Sequence, residues 1–414
     1  MDRWLGSFMG IILLTTFLAT AQEDYAMVIS GRDDGRIEAE CPDCYANVMT
    51  QSDTQAIEKI RTSIEDVDVA VGNEGLSAPI VIENLNLRNL PGNGIMIANT
   101  DAPIVLRDIT VESLDVRDQS SLPVGIGMQN AENVLVENCT ALNGALFRIA
   151  NSQNIQVRNN RARNFYLEGV NNSTIENCTS DCITIKGGLS PYFYELFGTS
   201  HDINNETFSG VPNTMVRSQS CIVKDCNRVK EIDFFDAEDC RVENCRVENV
   251  GLWMMNANNV TLRNSTVTNA TLSMDWSKKI DFENVTLINS DVSLGGSVPE
   301  DYAIALRNST VDGKPIYYYE NQRELKLENL NAGHIWLVNC SGSKVNGVNA
   351  LGIFVISSDG VAIRNSQVEG NGVNLAFSDN CVISNNRLTD KKSRDGILQY
   401  AVCKNVTSIS NILI

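Results

Sequence analysis

Read as apolar and polar positions, the chain breaks into short alternating runs that repeat. Between Asp239 and Asn289 three segments carry one phrase: an apolar residue, any residue, Asn, two residues, an apolar residue, any residue, Asn. The central residues are Asn244, Asn264 and Asn284, 20 residues apart each time. The core of the phrase recurs backward at Asp225, Asn177, Asn159, Asn138, Asp108 and Asn84, and forward at Asn308, Asn329, Asn346, Asn365, Asn385 and Asn405. Most steps are 17 to 24 residues, with longer ones of 30 before Asn138 and 48 before Asp225. A fixed period near 20 marks a repeat architecture.

The runs are β-branched, alternate with period two and are bounded by Asn, Gly or Ser, which is strand-and-turn chemistry. One unit is too small to bury its own apolar face and must stack on its neighbours. The pattern therefore predicts an all-β fold: a single right-handed parallel β-helix solenoid of pectin-lyase type over residues 79–414. Asn suits its corners because Asn tolerates the left-handed region and bonds nearby backbone. A leucine-rich repeat has a similar period but needs regularly spaced Leu and usually a helical segment.

Two regions depart from the repeat. Residues 22–78 read as an N-terminal cap. Ser52–Gln55 is a capping box, and Ala56, Ile57, Ile60, Ile64 and Val67 follow at helical spacing, so an amphipathic helix is expected over the open end of the coil. Cys41 and Cys44 just upstream read as a local disulfide rather than a redox pair or half a zinc site. Residues 187–218, rich in Tyr, Phe, Gly and Pro, read as an inserted loop.

Ahead of the cap, residues 1–21 have the form of a signal peptide: Arg3, an apolar run from Leu5 to Leu18, and Ala19-Thr20-Ala21 before Gln22. The expectation is an exported protein, extracellular or at the cell surface, that does not span the membrane once the leader is cleaved; an uncleaved anchor is the alternative. The net charge of −18 on 414 residues argues against nucleic acid and anionic membrane surfaces as partners.

The 12 cysteines are placed by the repeat. Cys139, Cys178, Cys226 and Cys245 each follow an anchor directly, and Cys221, Cys240 and Cys381 sit four residues before one. Inter-rung disulfides, a thiolate metal site and a ladder of small buried groups are the readings, and parallel neighbouring strands favour the last. Sequons at ladder Asn are repeat chemistry, which leaves Asn171, Asn172, Asn205 and Asn269 as glycosylation candidates.

The stretch Asp312 to Ser341 resembles the NosD-like, carbohydrate-binding and sugar-hydrolase (CASH) right-handed β-helix repeat family, common on the surfaces of methanogenic archaea. The matching marks are Gly313-Lys314-Pro315, Tyr317–Tyr319, Asn321-Gln322, Ala332-Gly333 and Asn339-Cys340-Ser341. The resemblance implies an exported β-helix that interacts with polysaccharide or a cell-surface glycan. It implies no particular activity.

Three function classes follow. For binding, alternation along the second strand of several rungs places Trp253, Tyr317, Tyr319, Trp336 and Phe354 on an exposed outer face, a platform for sugar rings. For catalysis, a hydrolase needs paired carboxylates, and a lyase of this architecture uses a basic residue and often calcium held by carboxylates. The acidic run Glu231–Asp239 with Asp275 and Lys278 supplies Asp233, Asp236, Asp275 and Lys278 as catalytic candidates. No other cofactor is expected: copper wants clustered Met, His or Cys, and the only histidines, His201 and His334, are far apart. The third class is a rigid structural component of a surface.

Overall fold

The computed structural model describes residues 25–31, 37–40, 79–90, 93–113, 124–143, 146–187, 217–302, 304–389 and 398–413. The expected leader and capping-box helix, Cys41, Cys44 and most of the stretch read as an inserted loop lie outside these residues. The chain forms two compact units, residues 1–229 and 230–414. Among the described residues no helix is long and apolar enough to cross a membrane.

Each unit is a parallel β-solenoid. In the first, the strands Ile80–Glu83, Ile104–Arg107, Val134–Glu137, Gln156–Arg158, Thr174–Glu176 and Ile222–Lys224 pair in parallel, each with the next turn. A second sheet stacks Asn93–Thr100, Val124–Ala131, Leu146–Ala150, Asn164–Glu168 and Thr179–Lys186. Within the stretch read as a cap, Tyr25–Gly31 pairs in parallel with Asn93–Thr100 and antiparallel with Ile37–Glu40, which extends this sheet at its N-terminal end.

In the second unit, Arg241–Glu243, Thr261–Arg263, Ile280–Glu283 and Ile304–Arg307 form one stack. Lys326–Glu328, Lys344–Asn346, Ala362–Arg364, Val382–Ser384 and Thr407–Ile409 form another. Between them Thr310–Val311 turns back antiparallel on Lys314–Pro315, with Asp312 at φ +47° and Gly313 at φ +73°. The Gly-Lys-Pro mark is thus a hairpin that interrupts the coil.

The corners follow the Asn phrase. Asn84, Asp108, Asn138, Asn159, Asn177 and Asp225 in the first unit all have φ between +51° and +62°. In the second, Asn244, Asn264, Asn284, Asn308, Asn329, Asn365 and Asn385 lie between +48° and +56°. This left-handed turn aims the corner N–H at the next turn, as when Asn244 donates to Arg263 O and Asn264 to Glu283 O, both 3.0 Å. The side chains form a second ladder, with Asn284 Nδ2 donating to Asn264 Oδ1 at 3.0 Å, and they are exposed on the outside of the coil. Two anchors sit elsewhere than expected. The corner after Asn329 is Gly347, at φ +65°. Asn405 stacks on Asn380, while Ser410 occupies the corner beneath Asn385. Asn269, a glycosylation candidate, is itself a ladder residue that accepts from Asn289 Nδ2 at 2.7 Å.

Inward positions repeat from turn to turn. Val242, Leu262, Phe282 and Leu306 stack in register, each 4% exposed or less. The residue after most corners also points in, and at several corners it is small. Cys139, Cys178, Cys226 and Cys245 occupy it, as do Ser265, Ser309 and Ser366. Their atoms do the same work. Cys245 Sγ donates to Glu243 O at 3.2 Å, and Ser265 Oγ donates to Arg263 O at 2.7 Å while accepting from Cys245 N at 3.0 Å. The cysteine ladder therefore supplies thiols in place of hydroxyls. Cys139, Cys178, Cys340, Cys381 and Cys403 are free thiols, and burial pushes those of Cys139 and Cys178 up to about 12.

In the stacks that precede the hairpin, the residue before each corner points outward and alternates in sign. In the first unit the column runs Glu83, Arg107, Glu137, Arg158, Glu176, Lys224 in register. Arg158–Glu176 at 3.2 Å and Lys224–Glu176 at 3.0 Å are among its ion pairs. In the second unit Glu243, Arg263, Glu283 and Arg307 continue the alternation. Each exposed pair is worth only about 0.2–1 kcal/mol. A slip by one turn would set like charges opposite, so the column discriminates against wrong register.

Candidate functional site

The outer face of one sheet in the second unit gathers several of the candidate residues. Arg228–Phe235 neighbours Arg246–Met255, which pairs in parallel with Thr271–Asp275, and that with Asp291–Gly295. Asp236 N–H donates to Met255 O, and Asn256 N–H to Asp275 O, both at 3.0 Å. That repeated bond sets Asp233, Trp253 and Ser273 in one row and Phe235, Met255 and Asp275 in the next. Phe234, Met254 and Met274 between them point inward, 1% exposed or less. Strict alternation in a parallel strand therefore sends Asp233, Trp253 and Asp275 outward. Trp253 and Asp275 are half-buried, and Asp233 is 8% exposed.

Glycines shape the space around them. A Cβ on Gly251 would lie 2.9 Å from Trp253 Nε1, and one on Gly295 would lie 2.3 Å from Asp275 Oδ1. The indole thus folds over Gly251, and the carboxylate sits where the next turn has no side chain. Desolvation raises the Asp275 carboxyl above its ordinary value, offset in part by the Ser273 hydroxyl, which donates to Oδ2 at 2.9 Å. Nearby, buried Asp301 caps its own turn, accepting from Ser297 N at 2.9 Å and Val298 N at 3.2 Å, with Lys278 Nζ 3.8 Å away. Burial raises Tyr302 as well, reinforced by the charges of Asp301 and Asp275.

The catalytic candidates separate on this framework. Asp233 and Asp275 share the outer face. Asp236 is a corner residue at φ +50° whose carboxylate takes the Asn256 amide, which is ladder chemistry. Lys278 stands beyond the corner at Trp276 and faces Asp301 rather than the sheet.

The aromatic row differs from the expectation. Tyr317 pairs with Ile335 and Tyr319 with Leu337, and both tyrosines pack against the interior core. Tyr318, paired with Trp336, takes the outward position. A one-residue error of parity reverses every side chain of a strand. Trp336 and Phe354 do point outward, but they are 0% and 1% exposed. They stack face to face at 4.0 Å with planes 9° apart, and His334 sets its ring edge-on to Phe354 at 5.2 Å. Elements from before the hairpin also reach this part of the chain. Asn371 joins the two, its Nδ2 donating to Val292 O at 3.2 Å and its Oδ1 3.1 Å from His334 Nε2. Tyr302 meets Phe377 edge-on at 5.7 Å. Of the five aromatic candidates, Trp253 alone stands outward and half-exposed.

Sequence reasoning missed a polar cluster in the first unit: Arg148, Tyr166, Glu168 and Lys186. Its only trace in the sequence is spacing, since Arg148 and Tyr166 are 18 residues apart, as are Glu168 and Lys186.

No protein-family model matches the chain, and no curated protein matches it. The likeness of Asp312–Ser341 to the NosD-like archaeal family therefore gains no support from either. Solved structures do match. PfbA, a surface adhesin of Streptococcus pneumoniae, is similar at 10% identity over 74% of this chain and 84% of that chain, with a TM-score of 0.37. The periplasmic alginate epimerase AlgG is similar at 10% identity over 82% and 79%, with a TM-score of 0.29. An exopolygalacturonase from Thermotoga maritima is similar at 14% identity over 72% of both chains, also at 0.29. Similarity at this level carries no argument about what this chain binds or catalyses.

Proposed function

We propose that this protein is an exported β-solenoid of the cell surface or its surroundings that binds polysaccharide on the outer face bearing Trp253. One observation carries the reading. A tryptophan stands half-exposed on a sheet face whose core lies on the other side, with the carboxylates of Asp233 and Asp275 in the same and the adjacent row. An indole face stacks on the apolar face of a sugar ring, and flanking carboxylates accept its hydroxyls. The leader-like N-terminus and the charge of −18 support a life outside the cell.

The test is retention of the full-length protein on immobilised neutral and acidic polysaccharides, without loss of the polymer. Trp253→Ala is expected to weaken retention about tenfold, or roughly 1.4 kcal/mol, with unchanged melting. Equal retention of the variant on every polymer overturns the reading.

A second reading, glycoside hydrolysis, is favoured by the raised carboxyl of Asp275, the property of a general acid. Asp233 is two turns away and one outward position along. Strand spacings put the two Cα atoms about 12 Å apart. That is too wide for the ~5 Å between carboxyl groups of a retaining pair and leaves only the inverting arrangement, with water between the carboxyls. Release of reducing ends with saturated products, abolished by Asp275→Asn, would establish it. An unsaturated sugar at the new non-reducing end would assign a lyase reaction instead, and loss of that product on chelation would assign calcium to it.

A further inference from the structure

The first unit holds a polar cluster that its own ion pairs leave incompletely bonded. Leu146–Ala150, Asn164–Glu168 and Thr179–Lys186 stack in parallel, with Arg148 beside Tyr166 and Glu168 beside Lys186. Alternation faces all four outward, since Phe147, Ile149, Phe165, Leu167, Ile183 and Ile185 fill the interior. Outward charged side chains normally reach water. Here the side chains of Arg148, Glu168 and Lys186 are only 11%, 12% and 13% exposed.

Withdrawing three charges from water is costly unless hydrogen bonds replace the lost hydration. They do so only in part. Glu168 lies 3.9 Å from both Arg148 Nη2 and Lys186 Nζ, beyond hydrogen-bond reach. Arg148 Nε and Glu168 Oε2 are buried and make no hydrogen bond. Lys186 Nζ reaches Tyr166 Oη at 3.5 Å, and the Arg148 guanidinium lies 5.9 Å from the centre of the Tyr166 ring. Burial, reinforced by Glu168, raises the Tyr166 hydroxyl, which keeps it a proton donor. Two cations and one anion leave a net charge of +1, on a protein whose total is −18.

We infer that Arg148, Tyr166 and Lys186 form a binding site for a single carboxylate group, carried by an acidic sugar or by a free organic acid. A guanidinium fork, an ammonium and a phenol hydroxyl are the donor set that a carboxylate's lone pairs accept. One negative charge neutralises the site, whereas a phosphate dianion overfills it. Glu168 is the internal competitor: it shares the two cations and holds them apart at 3.9 Å. The inference is independent of the Trp253 reading, because it rests on different residues in a different unit.

Calorimetry on the full-length protein tests it, with oligogalacturonate and the monomer glucuronate as carboxylate probes and a neutral glucan as control. Binding of either carboxylate probe is expected, weakening as salt rises, with no heat from the glucan attributable to this site. Arg148→Gln and Lys186→Gln should each lower carboxylate affinity at least tenfold, and Glu168→Gln should raise it several-fold. Trp253→Ala should leave it unchanged. A preference for the oligomer names a polysaccharide source, and equal binding of the monomer names a small acid. Melting curves confirm that each variant is folded. If Arg148→Gln is not, Lys186→Gln and Glu168→Gln decide. The inference is overturned if the unaltered protein binds neither carboxylate, or if folded Lys186→Gln and Glu168→Gln bind as it does.

Discussion

Acid should loosen the second unit at His334 before it loosens the rest. The imidazole is 0% exposed, stacked edge-on to Phe354 and bonded at Nε2 to Asn371 Oδ1. Its Nδ1 makes no hydrogen bond. Burial pushes the group down from 6.5 to about 4, while the Asn371 bond and the charge of Asp312 offset only part of that effect. The unfolded chain therefore takes up a proton near pH 6.5, and the folded chain refuses it until about pH 4. Stability from this source is complete above pH 6.5, declines as pH falls through the window, and is fully lost below 4. At about 1.36 kcal/mol per pKa unit, the gap between 6.5 and about 4 corresponds to a loss on the order of 3 kcal/mol. By linkage, roughly 1 kcal/mol is lost at pH 5.5 and roughly 2–3 kcal/mol at pH 4.5. Hydrogen exchange of the amides in Asn331–Val338 and Asn349–Ile356 measures local opening there, in the unaltered protein and in His334→Gln. Subtracting the variant removes the carboxylates that titrate nearby. The unaltered protein should show the extra decline and the variant should not. Parallel pH profiles for the two would refute the assignment of a buried neutral imidazole.

Two further outcomes test the coil itself by chemical denaturation. Asn264 holds φ +48° on the exposed corner, so Asn264→Ala should cost about 1–2 kcal/mol in backbone strain and Asn264→Gly less; a larger loss for Gly would show that the side-chain ladder, and not the turn, sets the requirement. Cys245 donates its thiol to Glu243 O, so Cys245→Ser should be tolerated while Cys245→Val costs about 1 kcal/mol by leaving an acceptor unmet; equal effects of the two would mean that packing alone explains the cysteine.

The rung was legible in the sequence because its causes are local. Asn and Asp recur where the backbone must turn left-handed, and apolar residues flank them with period two, so corner, strand and interior can each be read within a few residues. The same locality explains the misplacements. Asn346 and Asn405 satisfy the phrase, yet the corners fall at Gly347 and Ser410, because glycine and serine can also adopt the turn and leave no signature.

What the tertiary structure alone decided is which outward residues remain outward. In a solenoid the sequence assigns each side chain to the inner or outer face, and nothing local says whether a distant segment then covers the outer one. Trp336 and Phe354 were assigned to the correct face and are nevertheless buried, in a part of the chain where Asn371 bonds to Val292 O across 79 residues. Trp253 bears the same local pattern and stays half-exposed. Arg148, Tyr166, Glu168 and Lys186 are unremarkable surface residues in sequence. They become a cluster only because parallel stacking at about 4.8 Å per turn aligns them and burial removes the water that would have satisfied each separately.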